Sequence, residues 1–199
     1  MASAFDPNRV ILTGENPFIR LGDGRLSNGD EGADPTTTAS FWRIVFSGAG
    51  PGHVLFLKSE LTDNDWWIFS DNIALTRWLQ STVQGMLNGA LSDTTIPVTD
   101  ADFAHSGDVR SFWTERVTSD DDDITLTWYD IGEPHLRHTM PFDAPDRPYG
   151  VCSILVPCAG ARLTVNGEHA EGAPSPRDWD GVPFSTAALA FSESWTERA

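Results

Sequence analysis

Apolar and polar residues alternate through most of this chain, the period-two pattern of half-buried β-strands. The stretch 41–87 shows it most fully. Between Thr38 and Ser47, Trp42, Ile44 and Phe46 fall on one face, and Phe41, Arg43, Val45 and Ser47 on the other. The glycine-rich run 48–52 leads into HVLFLKSEL, where Val54, Phe56, Lys58 and Glu60 oppose Leu55, Leu57, Ser59 and Leu61. A strand followed by glycines invites a phosphate-loop reading. It fails because a second strand follows, not a helix, and neither G-x-G-x-x-G nor G-K-[ST] occurs. The run 48–52 is therefore a hairpin loop, and DWWIFS (65–70) returns as a strand.

At residue 71 the period changes. Leu75, Trp78, Leu79, Val83, Met86 and Leu87 recur at helical spacing, with Arg77, Gln80, Ser81 and Gln84 opposite. This predicts one amphipathic helix over 71–89, capped by Asp71 or Asn72 and stopped at Gly89. Beyond it the alternation resumes. Trp113, Glu115 and Val117 oppose Phe112, Thr114 and Arg116; Ile124, Leu126 and Trp128 oppose Thr125, Thr127 and Tyr129. The apolar run 150–158 reads as a central strand, and Asn166-Gly167 as a hairpin turn. Near the end, Ala187, Leu189, Phe191, Glu193 and Trp195 share one face, with small residues on the other. The first forty residues hold short strands at 10–12 and 17–22, and a loop over 22–37 whose Gly, Asp, Ser and Thr content predicts flexibility.

About nine or ten strands and one helix in 199 residues predict a single, mainly β domain. Successive hairpins favour an antiparallel β-barrel, or a sandwich closing on itself. In outline this resembles the lipocalin-like (calycin) proteins. The N-terminal G-x-W of that group is absent, and no residue role is carried over from the resemblance. The aromatic load of the strands suits a barrel enclosing a small apolar or aromatic ligand.

Composition narrows the partners. A formal net charge of −16 offers no cationic patch for a phosphate backbone and disfavours anionic membrane surfaces, so neither nucleic acid nor membrane is expected. No apolar run reaches transmembrane length, and the first residues lack the pattern of a signal peptide. Cys152 and Cys158 lie about 20 Å apart if the segment is extended, which reads as two reduced thiols in the cytoplasm. Arginine outnumbers lysine twelve to one, a usage typical of high-GC bacterial genes.

Local motifs for nucleophilic or metal chemistry are missing: no G-x-S-x-G, H-E-x-x-H or C-x-x-C occurs. An EF-hand loop counted from Asp63 places Ile68 and Ala74 where Gly and Glu are required. The run Asp120–Asp123 reads as a solvated hairpin tip. His135 and His138 sit in an extended segment bounded by Pro134 and Pro141, which sends the two imidazoles to opposite faces. Neither a metal nor a cofactor is therefore expected. What remains is a set of ionisable residues inside strands. Glu193, Glu115 and Glu60 are the candidate acids or bases, with His135 and Tyr129 assisting. Arg43 and Lys58 are candidates for holding an anionic group, and Trp42, Trp113, Trp128 and Trp195 for lining a ligand. Glu193 stands out because a carboxyl between Phe191 and Trp195 has a raised pKa. The function predicted is a small-molecule-binding barrel doing cofactor-free acid/base chemistry of the lyase, isomerase or hydrolase kind. The alternatives are a non-catalytic binding protein for a hydrophobic metabolite, or an interaction protein using the helix face 75–87. A homodimer is compatible with each.

Overall fold

The computed structural model describes residues 8–22, 35–144, 147–179 and 181–198, so most of the loop expected over 22–37 lies outside the described residues. The strands, in chain order, are β1 (Asn8–Glu15), β2 (Phe18–Leu21), β3 (Thr37–Ser47), β4 (Gly52–Lys58), β5 (Trp67–Ser70), β6 (Val98–Asp100), β7 (Asp102–Asp108), β8 (Phe112–Thr118), β9 (Asp123–Ile131), β10 (His135–Thr139), β11 (Tyr149–Val165), β12 (Glu168–His169), β13 (Pro176–Trp179), β14 (Val182–Ser185) and β15 (Ala187–Arg198). Two short helices, α1 (Ile73–Ser81) and α2 (Val83–Leu87), lie between β5 and β6.

The chain is mainly β, and one large mixed sheet takes in thirteen strands. Its hydrogen-bonded path runs β6-β5-β4-β3-β1-β15-β11-β9-β8-β7, with β2, β10 and β12 attached at the side. The pairs are antiparallel except β5 with β6. The path does not return on itself. Its two ends, β6 and β7, are consecutive in the chain and separated by Ala101. β11 is 17 residues long and changes partner midway, pairing with β15 over 149–157 and with β9 over 158–165.

Alternation along the strands sorts the apolar side chains into two cores. Phe41, Leu55, Leu57, Phe69, Val117, Leu126, Trp128, Leu163 and Leu189 meet in an inner core shared by nearly every strand. The opposite face of β3, β4 and β5 carries Trp42, Ile44, Val54, Phe56 and Ile68, which pack with Leu75, Leu79 and Val83 of the helices. Strands apolar on both faces need cover on both sides, and the helices supply the outer cover. The inner core is filled. Trp128, Phe41 and Leu55 are at 0% exposure where the sequence leads one to expect a ligand hollow. Trp128 and Trp42 are thus packing residues, their indole N–H groups donating to the Phe18 carbonyl at 2.9 Å and to Gln84 Oε1 at 2.7 Å.

Three local expectations need correction. The helix predicted over 71–89 breaks at Thr82, with φ −127° and ψ −111°. Its hydroxyl and that of Ser81 donate back to the Trp78 carbonyl at 2.6 and 3.0 Å, competing with the helical ladder. Asn72 does cap α1, its side chain accepting from the Leu75 N–H at 3.1 Å, but Gly89 opens a further 3-10 turn, Gly89–Ser92, instead of ending the helix. Leu75, Leu79 and Val83 are at 0% exposure, so the helix face proposed for a partner is occupied by the sheet. Third, β15 does not keep one face. At Ser192, φ is 51°, and the register with β11 slips between Cys152 and Ile154. This bulge reverses the alternation, as bulges do. Ala187, Leu189 and Phe191 face the inner core, whereas Trp195 packs on the other side with Leu12 and Ile44.

The hairpin turns follow their sequence signals. Asn166 and Gly167 have φ 53° and 85°, the left-handed pair that Asn-Gly favours. The aspartate run ties this turn to the β8–β9 hairpin: Asp122 accepts from Asn166 Nδ2 at 3.1 Å, and Asp123 holds Arg116 through two bonds of 2.8 and 2.6 Å.

Candidate functional site

Polar residues gather at one end of the inner core, placed by strand register. Glu15, Arg43 and His53 are neighbours on β1, β3 and β4, since Glu15 pairs with Arg43 and Arg43 with His53. On the strands facing them, His105 pairs with Glu115 across β7 and β8. Each belongs to the inward-facing register of its strand: Arg43 follows Phe41, His105 follows Phe103, and Glu115 precedes Val117. The two rows meet at Arg43. Its NH2 donates to both Glu115 carboxylate oxygens at 2.7 Å, and its NH1 to Glu15 Oε2 at 2.5 Å.

Glu115 is completely buried. Besides Arg43 it accepts from Trp113 Nε1 at 2.8 Å and has His105 Nδ1 at 3.3 Å. Burial pushes its pKa above the ordinary carboxylate range. The Arg43 charge, the Trp113 and Arg43 hydrogen bonds and His105 pull it partly back. With Arg43 on both oxygens and Trp113 and His105 on Oε1, Glu115 anchors the cluster. Arg43, shared by two carboxylates, has its charge already matched.

Aromatic rings frame the cluster. Phe41 lies 5.7 Å beneath the Arg43 guanidinium and 5.8 Å from Phe103. His53 stacks on Phe103 at 5.0 Å, His105 lies 3.9 Å from Trp113, and Trp113 meets Phe191 edge-on at 5.0 Å. His53 is doubly fixed by Asp71, the last residue before the α1 cap: its backbone N–H donates to Oδ1 and its Nδ1 to Oδ2, each at 2.6 Å. A carboxylate only accepts, so Nδ1 carries a proton, and Nε2 is the ring nitrogen that a ligand could meet. Among the described residues Nε2 of His53 makes no hydrogen bond.

Close backbone approach makes this arrangement possible. A Cβ on Gly14 would lie 2.2 Å from the Arg43 carbonyl oxygen, so only glycine allows β1 and β3 to meet there. Beside the cluster a surface hollow of about 290 Å³ is lined by Thr13, Gly14, Glu15, Arg43, Val45, Ser192, Glu193 and Ser194.

Of the residues singled out from sequence, the structure brings Arg43, Glu115 and Trp113 together. Glu193 borders the hollow, but the bulge turns its carboxyl to the outer face. There Oε1 accepts from Trp195 Nε1 at 2.6 Å and Oε2 from Ser153 at 3.2 Å. Burial pushes its pKa up to about 7, against the lowering effect of those two bonds. Trp195 belongs to this outer pair, and Trp42 and Trp128 to the cores. Lys58 is exposed on the outer face. Glu60 sits in a 3-10 turn; burial raises its pKa, but hydrogen bonds from the Glu171 N–H, its own backbone, Ser59 and Thr37 bring it below the ordinary value. His135 stands on β10 opposite Leu155, and Tyr129 on the exposed face of β9, both outside the cluster.

Sequence reasoning missed Glu15, His53, Asp71, His105 and Phe103. Two signals were present. Counting back across the 48–52 loop pairs His53 with Arg43, and His105 shares the period-two face of Phe103. Of the two cap candidates, Asp71 and Asn72, it is Asn72 that caps α1, which leaves Asp71 to hold His53. Among the described residues no group of three or more His, Cys, Asp or Glu side chains is arranged to hold a metal ion. No helix among them is long and apolar enough to cross a membrane. Comparison with protein-family models, with curated proteins and with solved structures yields no match for this chain.

Proposed function

We propose that this chain binds a small organic molecule, apolar or aromatic in its larger part, at the polar end of the inner core and transfers a proton on it without a cofactor. The observation that carries the reading is His53. Its Nδ1 is clamped by Asp71, its ring is stacked on Phe103, and its Nε2 is free of protein partners among the described residues. An imidazole oriented by a carboxylate is a competent general acid or base at neutral pH. Arg43, braced by Glu15 and Glu115, supplies fixed N–H donors beside it, and Phe103, Trp113 and Phe191 supply the apolar contact. The acid/base role passes from the glutamates to this histidine, and Glu115 becomes its support. The reading takes the sheet as a barrel in outline, supported by β6 and β7 being consecutive in the chain. The free thiols of Cys152 and Cys158 are compatible with a cytoplasmic chain in this reading.

The test begins with a thermal-shift screen of small metabolites against the wild-type chain. Stabilising compounds are then incubated in D2O and followed by NMR for deuterium incorporation. Exchange at a carbon, slowed by about 100-fold or more in His53→Gln, supports the reading. Exchange at the wild-type rate in His53→Gln removes His53 from the chemistry. Binding with no exchange in any compound replaces the reading with a non-catalytic binding protein.

A further inference from the structure

The face of β8, β9 and β11 turned away from the inner core carries a second constellation. Register sets Phe112, Tyr129 and Gly160 in one row across the three strands, and Thr114, Thr127 and Arg162 in the next. The Tyr129 ring lies over Gly160, where a Cβ would come within 2.1 Å of its Cε2, so the glycine makes room for the ring across the strand. Tyr129 and Phe112 remain 37% and 45% exposed, the Tyr129 ring leaning over Gly160 of β11 and the Phe112 ring over Gly107 of β7. Thr127 and Thr114 share a hydroxyl hydrogen bond of 3.1 Å. Thr127, Tyr129 and Arg162 together line a surface hollow of about 280 Å³.

Arg162 is the informative member. In a chain of net charge −16, Arg9, Arg43 and Arg116 each sit against a carboxylate. Arg162 makes no ion pair or hydrogen bond among the described residues. Asp123, on the same face of β9, is already held by Arg116 through both oxygens. A cation in mid-sheet, beside an aromatic ring and hydroxyls and without a partner among the described residues, is complementary to an anion arriving from outside.

We propose that this face binds a carboxylate-bearing sugar. The aromatic ring matches the C–H face of a pyranose. The threonine hydroxyls match its hydroxyls, and the planar guanidinium matches its carboxylate through two parallel hydrogen bonds. A shallow hollow of this size admits one sugar ring. The site lies on the opposite side of the sheet from the His53 cluster and is independent of the function proposed there.

The probe is methyl glucuronide, titrated into the full ¹⁵N-labelled chain and followed through backbone amide shifts. Methyl glucoside serves as the neutral sugar and acetate as the carboxylate without a ring. The expected result is shifts confined to 112–114, 127–129 and 160–162, with the glucuronide binding at least about five-fold more tightly than either control. Arg162→Gln should weaken the glucuronide by about ten-fold and bring it level with the glucoside. Tyr129→Ala should weaken both sugars, and Gly160→Ala, which keeps every polar group but displaces the ring, should do the same. Arg162 and Tyr129 are exposed, whereas Gly160 is buried beneath the tyrosine ring, and an otherwise unchanged amide spectrum confirms the fold of each variant. The proposal is overturned by any of four results: no shifts at about 20 mM, equal affinity for the glucuronide and the glucoside, an unaffected Arg162→Gln variant, or shifts centred on residues 53 and 105.

Discussion

Replacing Glu193 by Gln should change how stability depends on pH in a direction that the bulge of β15 dictates. In the folded chain the carboxyl is buried and titrates at about 7; an unburied glutamate titrates near 4.5. Below 4.5 both states hold the proton. Between 4.5 and about 7 the unfolded chain has released it and the folded chain has not, so folding binds a proton and stability falls as pH rises. The stabilising contribution is therefore complete below the unfolded value and gone above the folded one. The separation of the two values corresponds to about 3 kcal/mol, lost at roughly 1.4 kcal/mol per pH unit. Glutamine mimics the protonated acid: its oxygen still accepts from Trp195 Nε1, and its amide can donate to the Ser153 hydroxyl. The variant should exceed the wild type by under about 1 kcal/mol at pH 5 and by about 3 kcal/mol at pH 8. Urea unfolding followed by tryptophan fluorescence, run at intervals from pH 5 to pH 8, measures this as a difference between the two proteins. The difference cancels other titrating groups, Glu115 included. A gap between the two curves that stays flat from pH 5 to pH 8, or that closes as pH rises, would refute the reasoning.

Two further perturbations address the Arg43 cluster. Arg43→Met strips the fully buried Glu115 of its counter-charge and should cost about 3–5 kcal/mol in denaturant unfolding. Adding Glu115→Gln, which keeps an acceptor for Trp113, should recover at least half of that, and a cost below about 1 kcal/mol for the single variant would show that Glu115 is not held as a charge. Gly14→Ala drives a methyl into the Arg43 carbonyl and should cost about 1–3 kcal/mol, read as a lowered urea midpoint, with the His53 and His105 ring resonances shifting as the strand moves.

The elements most plainly written in the sequence are those governed by neighbours in the chain. The two-sided apolar pattern of β3 and β4 announced strands covered on both faces; Asn72 announced a cap; Asn166-Gly167 announced a turn. What the pattern hid depends on pairing. One residue, Ser192, reverses the faces of β15, and no local feature of FSESW marks it. Glu193 was therefore singled out for the right physical reason, a carboxyl among aromatics, yet assigned to the wrong side of the sheet. Thr82 breaks a stripe that reads as continuous because its hydroxyl competes for the Trp78 carbonyl, a choice that periodicity does not register. The polar cluster was half legible. Arg43, Glu115 and Trp113 drew attention as polar or large groups inside alternating strands, but Glu15, His53 and His105 join them through register across β1, β3 and β4 and across β7 and β8. A hollow was inferred from aromatic content, and the same aromatics fill the space themselves.

The position of β15 bears on how the chain assembles. It is hydrogen-bonded on one side to β1 and on the other to β11, and the contact between Arg9 and Glu197 spans 188 residues. Until that strand arrives, β1 and the first half of β11 present bare ladder edges, the kind that recruit other chains. Such distant closure makes for slow folding and for intermediates prone to self-association. Once seated, that strand is a latch, held along both edges, and it can leave the sheet only by releasing two ladders together.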